Sequence, residues 1–287
     1  MDILAALLPF FQFEATYDGR SLSDRDPAFI QALMPVFEGF YRHYFRVQTS
    51  GWHHILDQKM LLVGSHNGGL ATPDLPMFVY DWVRRFGPER PVYGLAHPKV
   101  WQVYPAMAKL AARCGGVQAR PQMAIAAFRA GASVLVFPGG GQDAFRPHRD
   151  RQKIHFAGRT GFVKLALREG VPIVPFVSWG AHDTLVVIDD CYEQAKFMHE
   201  QGIPWLFGID PEVFPIYLGL PWGLAIGPVP NIPLPMPIHT RVCAPVTFDR
   251  YGRDVLKDED YVNACAQKVI NHMQAELDDL ATQPPPP

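Results

Sequence analysis

Apolar positions along this chain follow two rhythms. Ile30, Leu33, Met34, Phe37, Phe40, Tyr41, Tyr44 and Phe45 recur at steps of three and four residues, which predicts a helix with one wide aromatic face. Met60 through Gly64 is instead a continuous apolar run, the mark of a short buried strand. Leu75, Phe78, Val79, Trp82, Val83 and Phe86 return to helical spacing until Gly87-Pro88 ends it. The pattern then predicts a strand at 91–95, helices near 99–113 and 121–130, and a strand from Ser133 to Phe137. A helix near 159–169 closes at Gly170, Val171 to Val177 reads as a strand, and the last helix covers roughly 259–281. Short helices between apolar strands are the signature of βαβ units. The expected fold is therefore α/β, a mostly parallel sheet flanked by helices, preceded by N-terminal amphipathic helices. Residues 1–45 form the apolar and amphipathic helical region, 46–283 the α/β domain, and 284–287 a proline tail.

Composition narrows the class. A hydrophobic fraction of 48% supplies a sizeable core and excludes wholesale disorder. The net charge of -2 gives no electrostatic footprint for nucleic acid, so no nucleic-acid partner is expected. Charged residues make up only 19%, against about 25% in an average soluble protein. Prolines number 28, about twice the usual share. Cys114, Cys191, Cys243 and Cys265 are widely spaced with no Cys-x-x-Cys pair, which argues against a disulfide framework and a structural zinc site. Free thiols suit a reducing cytoplasmic compartment. The apolar start at 3–13 carries no basic residue before Arg20 and is interrupted by Pro9, so neither a signal peptide nor a spanning helix is expected there.

Two segments carry candidate chemistry, each directly after a predicted strand. The first is Ser65-His66-Asn67-Gly68-Gly69-Leu70-Ala71-Thr72-Pro73-Asp74. In α/β sheets ligands bind in the crevice outside the strand C-termini, and glycines there let backbone approach a substrate. An imidazole can take a proton from an alcohol near neutral pH when a carboxylate holds its other nitrogen, and Asp74 is the nearest one downstream. Two plainer readings stay open: His66 as a turn histidine bonded to backbone, and Asp74 as a helix N-cap. The second segment is Phe137-Pro138-Gly139-Gly140-Gly141-Gln142-Asp143-Ala144-Phe145-Arg146. Its backbone N–H groups can form an anion-binding nest and Arg146 can grip phosphate or carboxylate, or the whole can be a glycine-rich turn. No metal-ligand spacing is found around His53-His54, and no Gly-x-Ser-x-Gly elbow marks a serine hydrolase.

His66 and Asp74, then Pro138-Gly139-Gly140 with Asp143 and Arg146, then Val171-Pro172-Ile173-Val174-Pro175, together resemble the glycerolipid (lysophospholipid) acyltransferase superfamily. The likeness is greatest to the branch related to diacylglycerol acyltransferases, and covers roughly residues 46–190. It implies transfer of a fatty acyl group from an acyl thioester, acyl-CoA or acyl-carrier protein, to a lysophospholipid, diacylglycerol-like or other lipid alcohol. It further implies His66 as general base and Asp74 as its orienting partner. Gly139, Gly140, Gly141, Asp143 and Arg146 would bind the acceptor's head or the donor's phosphates. Val171, Pro172, Ile173 and Pro175 would line the site. No cofactor or metal beyond the acyl-CoA co-substrate is implied. Seven residues separate His66 from Asp74, so Asn67-Gly68-Gly69 must form a compact loop to bring the carboxylate back. The family's glycine-plus-basic second motif is matched only loosely, by Gly116 and Arg120.

Residues 213–240 hold no Asp, Glu, Lys or Arg but many prolines, which precludes a regular spanning helix. An irregular apolar segment is expected, either walling an acyl groove or resting on a bilayer, or packed as a buried loop; the expected location is cytoplasmic, with peripheral attachment to the inner or cytosolic membrane face. The alternatives are a non-catalytic acyl- or lipid-binding protein of the same fold and, behind it, a lipid ester hydrolase.

Overall fold

The computed structural model describes residues 17–282 except 104, 206, 207 and 209; the apolar start at 3–13 and the proline tail lie outside the described residues. Ten strands and nine helices are used below. The strands are β1 (Gln48–Ser50), β2 (Leu61–Gly64), β3 (Val92–Ala96), β4 (Gly116–Gln118), β5 (Ser133–Val136), β6 (Ile173–Trp179), β7 (Val186–Asp190), β8 (Pro215–Gly219), β9 (Gly223–Ile226) and β10 (His239–Val242). The helices are α1 (Pro27–Gly39), α2 (Asp74–Phe86), α3 (Pro98–Val103), α4 (Pro105–Arg113), α5 (Pro121–Arg129), α6 (Gly140–Ala144), α7 (Gly161–Glu169), α8 (Tyr192–Glu200) and α9 (Glu259–Thr282).

Seven strands form the main sheet in the order β1-β10-β6-β2-β5-β3-β4. The run from β6 to β4 is parallel throughout; β10 pairs antiparallel to β6, and β1 parallel to β10. The expected α/β class with a mostly parallel, helix-flanked sheet is what is observed. β2 lies at the centre, so its residues meet protein on both faces, which is why Met60 to Gly64 is apolar without alternation.

Side-chain alternation along the strands divides the core into two layers. Leu61, Val63, Val134, Ile173 and Val177 point to one face, where Phe128 of α5, Val163 of α7 and Val269 of α9 cover them. Met60, Leu62, Leu135, Val174 and Phe176 point to the other, under Phe78 and Trp82 of α2 and Ile30 of α1. On that second face the Phe78 and Phe176 rings stack at 4.1 Å, and the Trp82 indole N–H donates to the Arg90 carbonyl at 3.2 Å. The helix expected over the aromatic stretch ends as an α-helix at Gly39, and Phe40–Tyr44 continues as a wider π-turn that buries Tyr41.

The charge-free stretch 213–240 departs from expectation. It is not irregular throughout. β8 and β9 form a hairpin within it, joined to β7 in a second, antiparallel sheet of order β7-β8-β9. The prolines sit in the turns and connections around the hairpin and at the start of β8, where a missing N–H costs least. Buried Val187, Tyr217 and Ala225 pack this small sheet onto Ala144 and Phe145, at the end of the glycine-rich segment. Among the described residues no helix is long and apolar enough to cross a membrane.

The stacked pair on the α2 face gives a direct test of this packing. Phe78 is 2% exposed, so Phe78→Ala removes a full ring from a closed layer. A loss of about 3–5 kcal/mol is expected, read as a lowered urea midpoint at unchanged slope.

Candidate active site

Because β2, β3, β4, β5 and β6 run parallel, their C-terminal ends face the same edge of the sheet. The segment after β2 carries His66 and the segment after β5 carries Phe137 and the three glycines, so adjacent central strands deliver both motifs to one place.

Asn67-Gly68-Gly69 does form the compact loop that the long spacing demanded. Gly68 and Gly69 take φ of 76° and 68°, and Thr72 takes 38°. These left-handed residues fold the chain back within one short turn, so Asp74 begins α2 beside the imidazole. A side chain at Gly68 would stand 2.4 Å from the Thr184 hydroxyl. The Asp74 Oδ1 lies 3.6 Å from His66 Nδ1, with the carboxylate fully buried and 18% of the histidine side chain accessible. Two further bonds hold Asp74: Asn67 Nδ2 donates to Oδ2 at 3.2 Å, and the Leu75 amide donates to Oδ1 at 3.0 Å. Asp74 is thus in the first helical turn and beside His66 at once. His66 Nδ1 is buried without a hydrogen-bond partner, with the Asp74 carboxylate just beyond bonding distance as the nearest acceptor; a slight approach would let Nδ1–H donate to it and leave the lone pair on Nε2. The ring stacks on Phe137 at 4.3 Å. Phe137 in turn meets Phe176 edge-on at 5.6 Å, and both rings leave no room for a Cβ at Gly64.

Asp143 and Arg146 are placed otherwise than expected. Asp143 is fully buried and Arg146 is 4% exposed. The carboxylate accepts from the His66 amide at 2.5 Å and from the Ser65 hydroxyl at 3.0 Å. The guanidinium donates to Asp143 Oδ1 at 3.0 Å, the His66 carbonyl at 2.8 Å and the Asn67 Oδ1 at 2.6 Å. Its other bonds go to the carbonyls of Asp143, Asp150 and Arg151. Every nitrogen of the fork is engaged, so Arg146 has no donor free for a phosphate. The pair instead clamps the backbone of His66 from beneath. Burial pushes the Asp143 carboxyl up and the Arg146 guanidinium down, each against the attraction of its partner. Asp143 reaches these partners although it is one methylene shorter than glutamate, and it lies so close to Gly139 that a side chain there would collide with it.

The other expected residues divide. Gly139, Gly140 and Gly141 do lie at this edge, with Gly139 capping the short α6 and Gly140 at φ 54°. Arg159 donates to the carbonyls of Pro138 and Gly139 at 3.1 and 2.6 Å, fixing the turn. Val171, Pro172 and Ile173 do not line the site. Ile173 pairs with Leu61 at the start of β2, whereas Gly64 at its end pairs with Phe176. Val171 and Ile173 therefore sit in the α5/α7/α9 core at the far end of the strands. Pro175, beside Val63, is nearer, but Phe176 is the β6 residue that approaches the His66 ring system. Arg120 is exposed just beyond β4 at the same edge of the sheet. Ser65, Asn67, Phe137 and Phe176 were missed as site residues. Asn67 and Phe137 stood inside the recognised motifs and could have been found there, whereas Phe176 had no local signal. Among the described residues no cluster of His, Cys, Asp or Glu fits a metal ion, and the four cysteines are unpaired.

Comparison with known proteins decides the family. The model described as "Acyltransferase" matches residues 46–179, and that described as "Diacylglycerol acyltransferase" matches residues 120–270. The chain belongs to the glycerolipid acyltransferase superfamily, in its diacylglycerol-acyltransferase-related branch. An uncharacterized protein of Mycobacterium tuberculosis is 30% identical over 214 residues, 73% of this chain and 55% of its own length. Diacylglycerol O-acyltransferase 2 of Bos taurus is 27% identical over 144 residues, 47% of this chain and 36% of its own. This acyltransferase-family chain thus spans about half the length of the mycobacterial relative. The crystal structure of the 1-acyl-sn-glycerophosphate (LPA) acyltransferase from Thermotoga maritima shares the fold, with a TM-score of 0.52 at 15% identity over 96% of this chain and 87% of that one.

Two measurements follow. Arg146→Lys replaces a fork with a single ammonium, which cannot serve partners on four sides. It should lower stability by about 3 kcal/mol, the scale of breaking a buried pair, without creating any phosphate dependence. His182 supplies the second. It is 2% exposed and donates from Nε2 to the Arg146 carbonyl at 2.9 Å. Burial, then the neighbouring Arg146 charge, hold its pKa well below the ordinary 6.5. Below that value the unfolded chain binds a proton that folded His182 refuses, so stability falls as pH drops, by up to about 1.4 kcal/mol per pH unit. His182→Gln keeps a donor for the carbonyl and removes the titration. Urea melts from pH 7 to pH 5 should show a shallower decline in that variant.

Proposed function

We propose that this chain transfers a fatty acyl group from an acyl thioester to the hydroxyl of a lipid alcohol, with His66 as general base and Asp74 as its orienting carboxylate. The observation that carries this reading is the His66–Asp74 pair, 3.6 Å apart at the C-terminal edge of the sheet, with Asp74 held in place by the Asn67 side-chain amide and the Leu75 backbone N–H. Membership of the acyltransferase superfamily supplies the reaction class, and the diacylglycerol acyltransferase relatives support an uncharged lipid alcohol as acceptor.

In this reading the acceptor hydroxyl donates its proton to His66 Nε2 as its oxygen attacks the thioester carbonyl. The tetrahedral intermediate then collapses by breaking the carbon–sulfur bond. The imidazolium returns its proton to the departing thiolate, of coenzyme A or of an acyl-carrier protein. Asp74 stabilises the imidazolium that forms between these steps. The 3.6 Å separation exceeds hydrogen-bond length, and the attraction grows when the ring becomes charged, so the contact shortens as the proton moves. With every Arg146 nitrogen already bonded, this edge offers no guanidinium donor to a phosphate. An acceptor without a phosphate suits the site better than glycerol phosphate. Gly139 to Gly141 offer close backbone approach to the thioester.

Labelled acyl-CoA incubated with lysophospholipids, diacylglycerol, fatty alcohols and sterols tests the reading through the acylated product in the lipid extract. His66→Ala should cut turnover by about 10²–10⁴-fold, the usual contribution of a general base. Asp74→Asn should lower kcat with little change in KM, because it removes the charge and not the binding surface. Unchanged turnover in His66→Ala would sink the proposal.

A further inference from the structure

The small sheet turns two unlike faces outward and inward. Val187, Tyr217 and Ala225 point inward and are buried on Ala144 and Phe145. Register places Leu218 opposite Leu224 and Ile216 opposite Ile226 on the outer face. Leu224 and Ile226 are 62% and 58% exposed, and Trp222 at the hairpin turn is 58% exposed. Leu218, Leu220 and Ile232 beside them are about half exposed. An exposed apolar surface of this kind on a soluble chain marks an interaction site.

We infer that the outer face of β8–β9 and the Trp222 turn is the surface by which this protein docks on the hydrocarbon boundary of a lipid bilayer. Four observations favour lipid over protein. First, residues 213–240 carry no charge, and few polar side chains accompany the exposed ones. A protein interface of standard size carries about ten hydrogen bonds and a polar rim, whereas hydrocarbon asks for none. Second, the Trp222 indole N–H donates to the Pro230 carbonyl at 2.7 Å, so the ring can leave water without stranding a donor. Third, β9 is poorly suited to sheet extension by a second copy. It spans only the four residues Gly223–Ile226, and Gly227, Pro228 and Pro230 follow. Fourth, the face adjoins the candidate site. Asn231 Nδ2 donates to the Gly68 carbonyl at 3.4 Å, and the Leu234 amide donates to the Thr184 carbonyl at 2.8 Å. Leu70, one turn past His66, is exposed as well. At the opposite margin Arg149 pairs with Asp189 at 3.2 Å, giving a polar border on the β7 side.

The face lies on the membrane and does not span it, since β9 is an open sheet edge whose outward amides need water or head groups. Docking stands without the transfer reading. Its purpose, bringing a membrane-held alcohol to the His66 loop, rests on that reading.

The experiment is flotation of the full chain with phosphatidylcholine vesicles at low and high salt. The chain should float at both, because the face is uncharged and screening has little to act on. Leu218→Thr/Leu224→Thr/Ile226→Thr keeps strand-forming residues on the exposed face, and should reduce vesicle binding at least tenfold. Leu224→Thr alone, with circular dichroism alongside, should give an intermediate loss and covers the case of a misfolded triple variant. Met107→Thr, exposed on α4, should change nothing. Undiminished flotation of the folded triple variant, or no flotation of the native chain, would overturn the inference. A dimer in sedimentation that the triple variant dissolves would overturn it too, in favour of a second copy of the chain. Activity separates the two readings. On a water-soluble short-chain thioester and alcohol the triple variant should match the native rate, and on vesicle-borne alcohol it should fall. Absence of transfer to any alcohol in the native chain refutes the proposed function while leaving the flotation result to judge the docking.

Discussion

The buried Asp143–Arg146 pair is the constraint on which the rest of the site depends. Taking two charges out of water is costly, and their attraction repays it only when the remaining donors and acceptors are also satisfied. Here they are. The guanidinium binds carbonyls from His66, Asp143, Asp150 and Arg151 together with the Asn67 side chain, and the carboxylate binds the Ser65 hydroxyl and the His66 amide. The partners come from the segments after β2 and after β5, two neighbouring central strands. A surface ion pair would tie those loops weakly, because water competes for both ends. Buried, the pair fixes the backbone on both sides of the imidazole.

That fixation spreads outward through contacts of different kinds. Asn67 accepts from Arg146 and donates to Asp74, so the clamp reaches the carboxylate beside His66 through one amide side chain. Phe137, just past β5, supports the imidazole ring by stacking and is itself set by Phe176 of β6. On the other side Ala144 and Phe145 seat the inner face of the small sheet. The clamp and the seat of the small sheet thus meet in one short helix, α6, which carries Asp143 and Ala144, and Phe137 of the ring stack lies just before it.

The chain also divides its two chemistries by burial. Polar groups near His66 are few and bonded to one another, while the accessible surface around the small sheet is apolar. The proposed transfer calls for a proton-transferring pair near an apolar surface, and seating the small sheet on Ala144 and Phe145 brings the two close together. Part of the low charge content of the sequence reflects this arrangement, since the longest charge-free stretch is the part that forms the small sheet and its flanks.

Much was legible in the sequence because it was local. The apolar runs of β2 and β5, the helical spacing of α2 and the end of α7 at Gly170 follow from periodicity and turn chemistry within a few residues. The two motifs after strands were visible for the same reason, and so was the need for a compact Asn67–Gly69 loop. Other features were decided only by tertiary structure. Arg146 looks in sequence like an anion-binding residue, and only its bonds to the distant His66 carbonyl and Asn67 side chain, together with nearby carbonyls, turn it into an internal clamp. Val171 to Ile173 fall at the wrong end of β6 because strand register, set by pairing with β2, is not written in either strand alone. The hairpin of β8 and β9 was hidden by its prolines, which oppose a helix but are tolerated at strand starts and turns. Sequence fixes what a residue can do with its near neighbours; which surface it finally faces depends on pairings across more than a hundred residues.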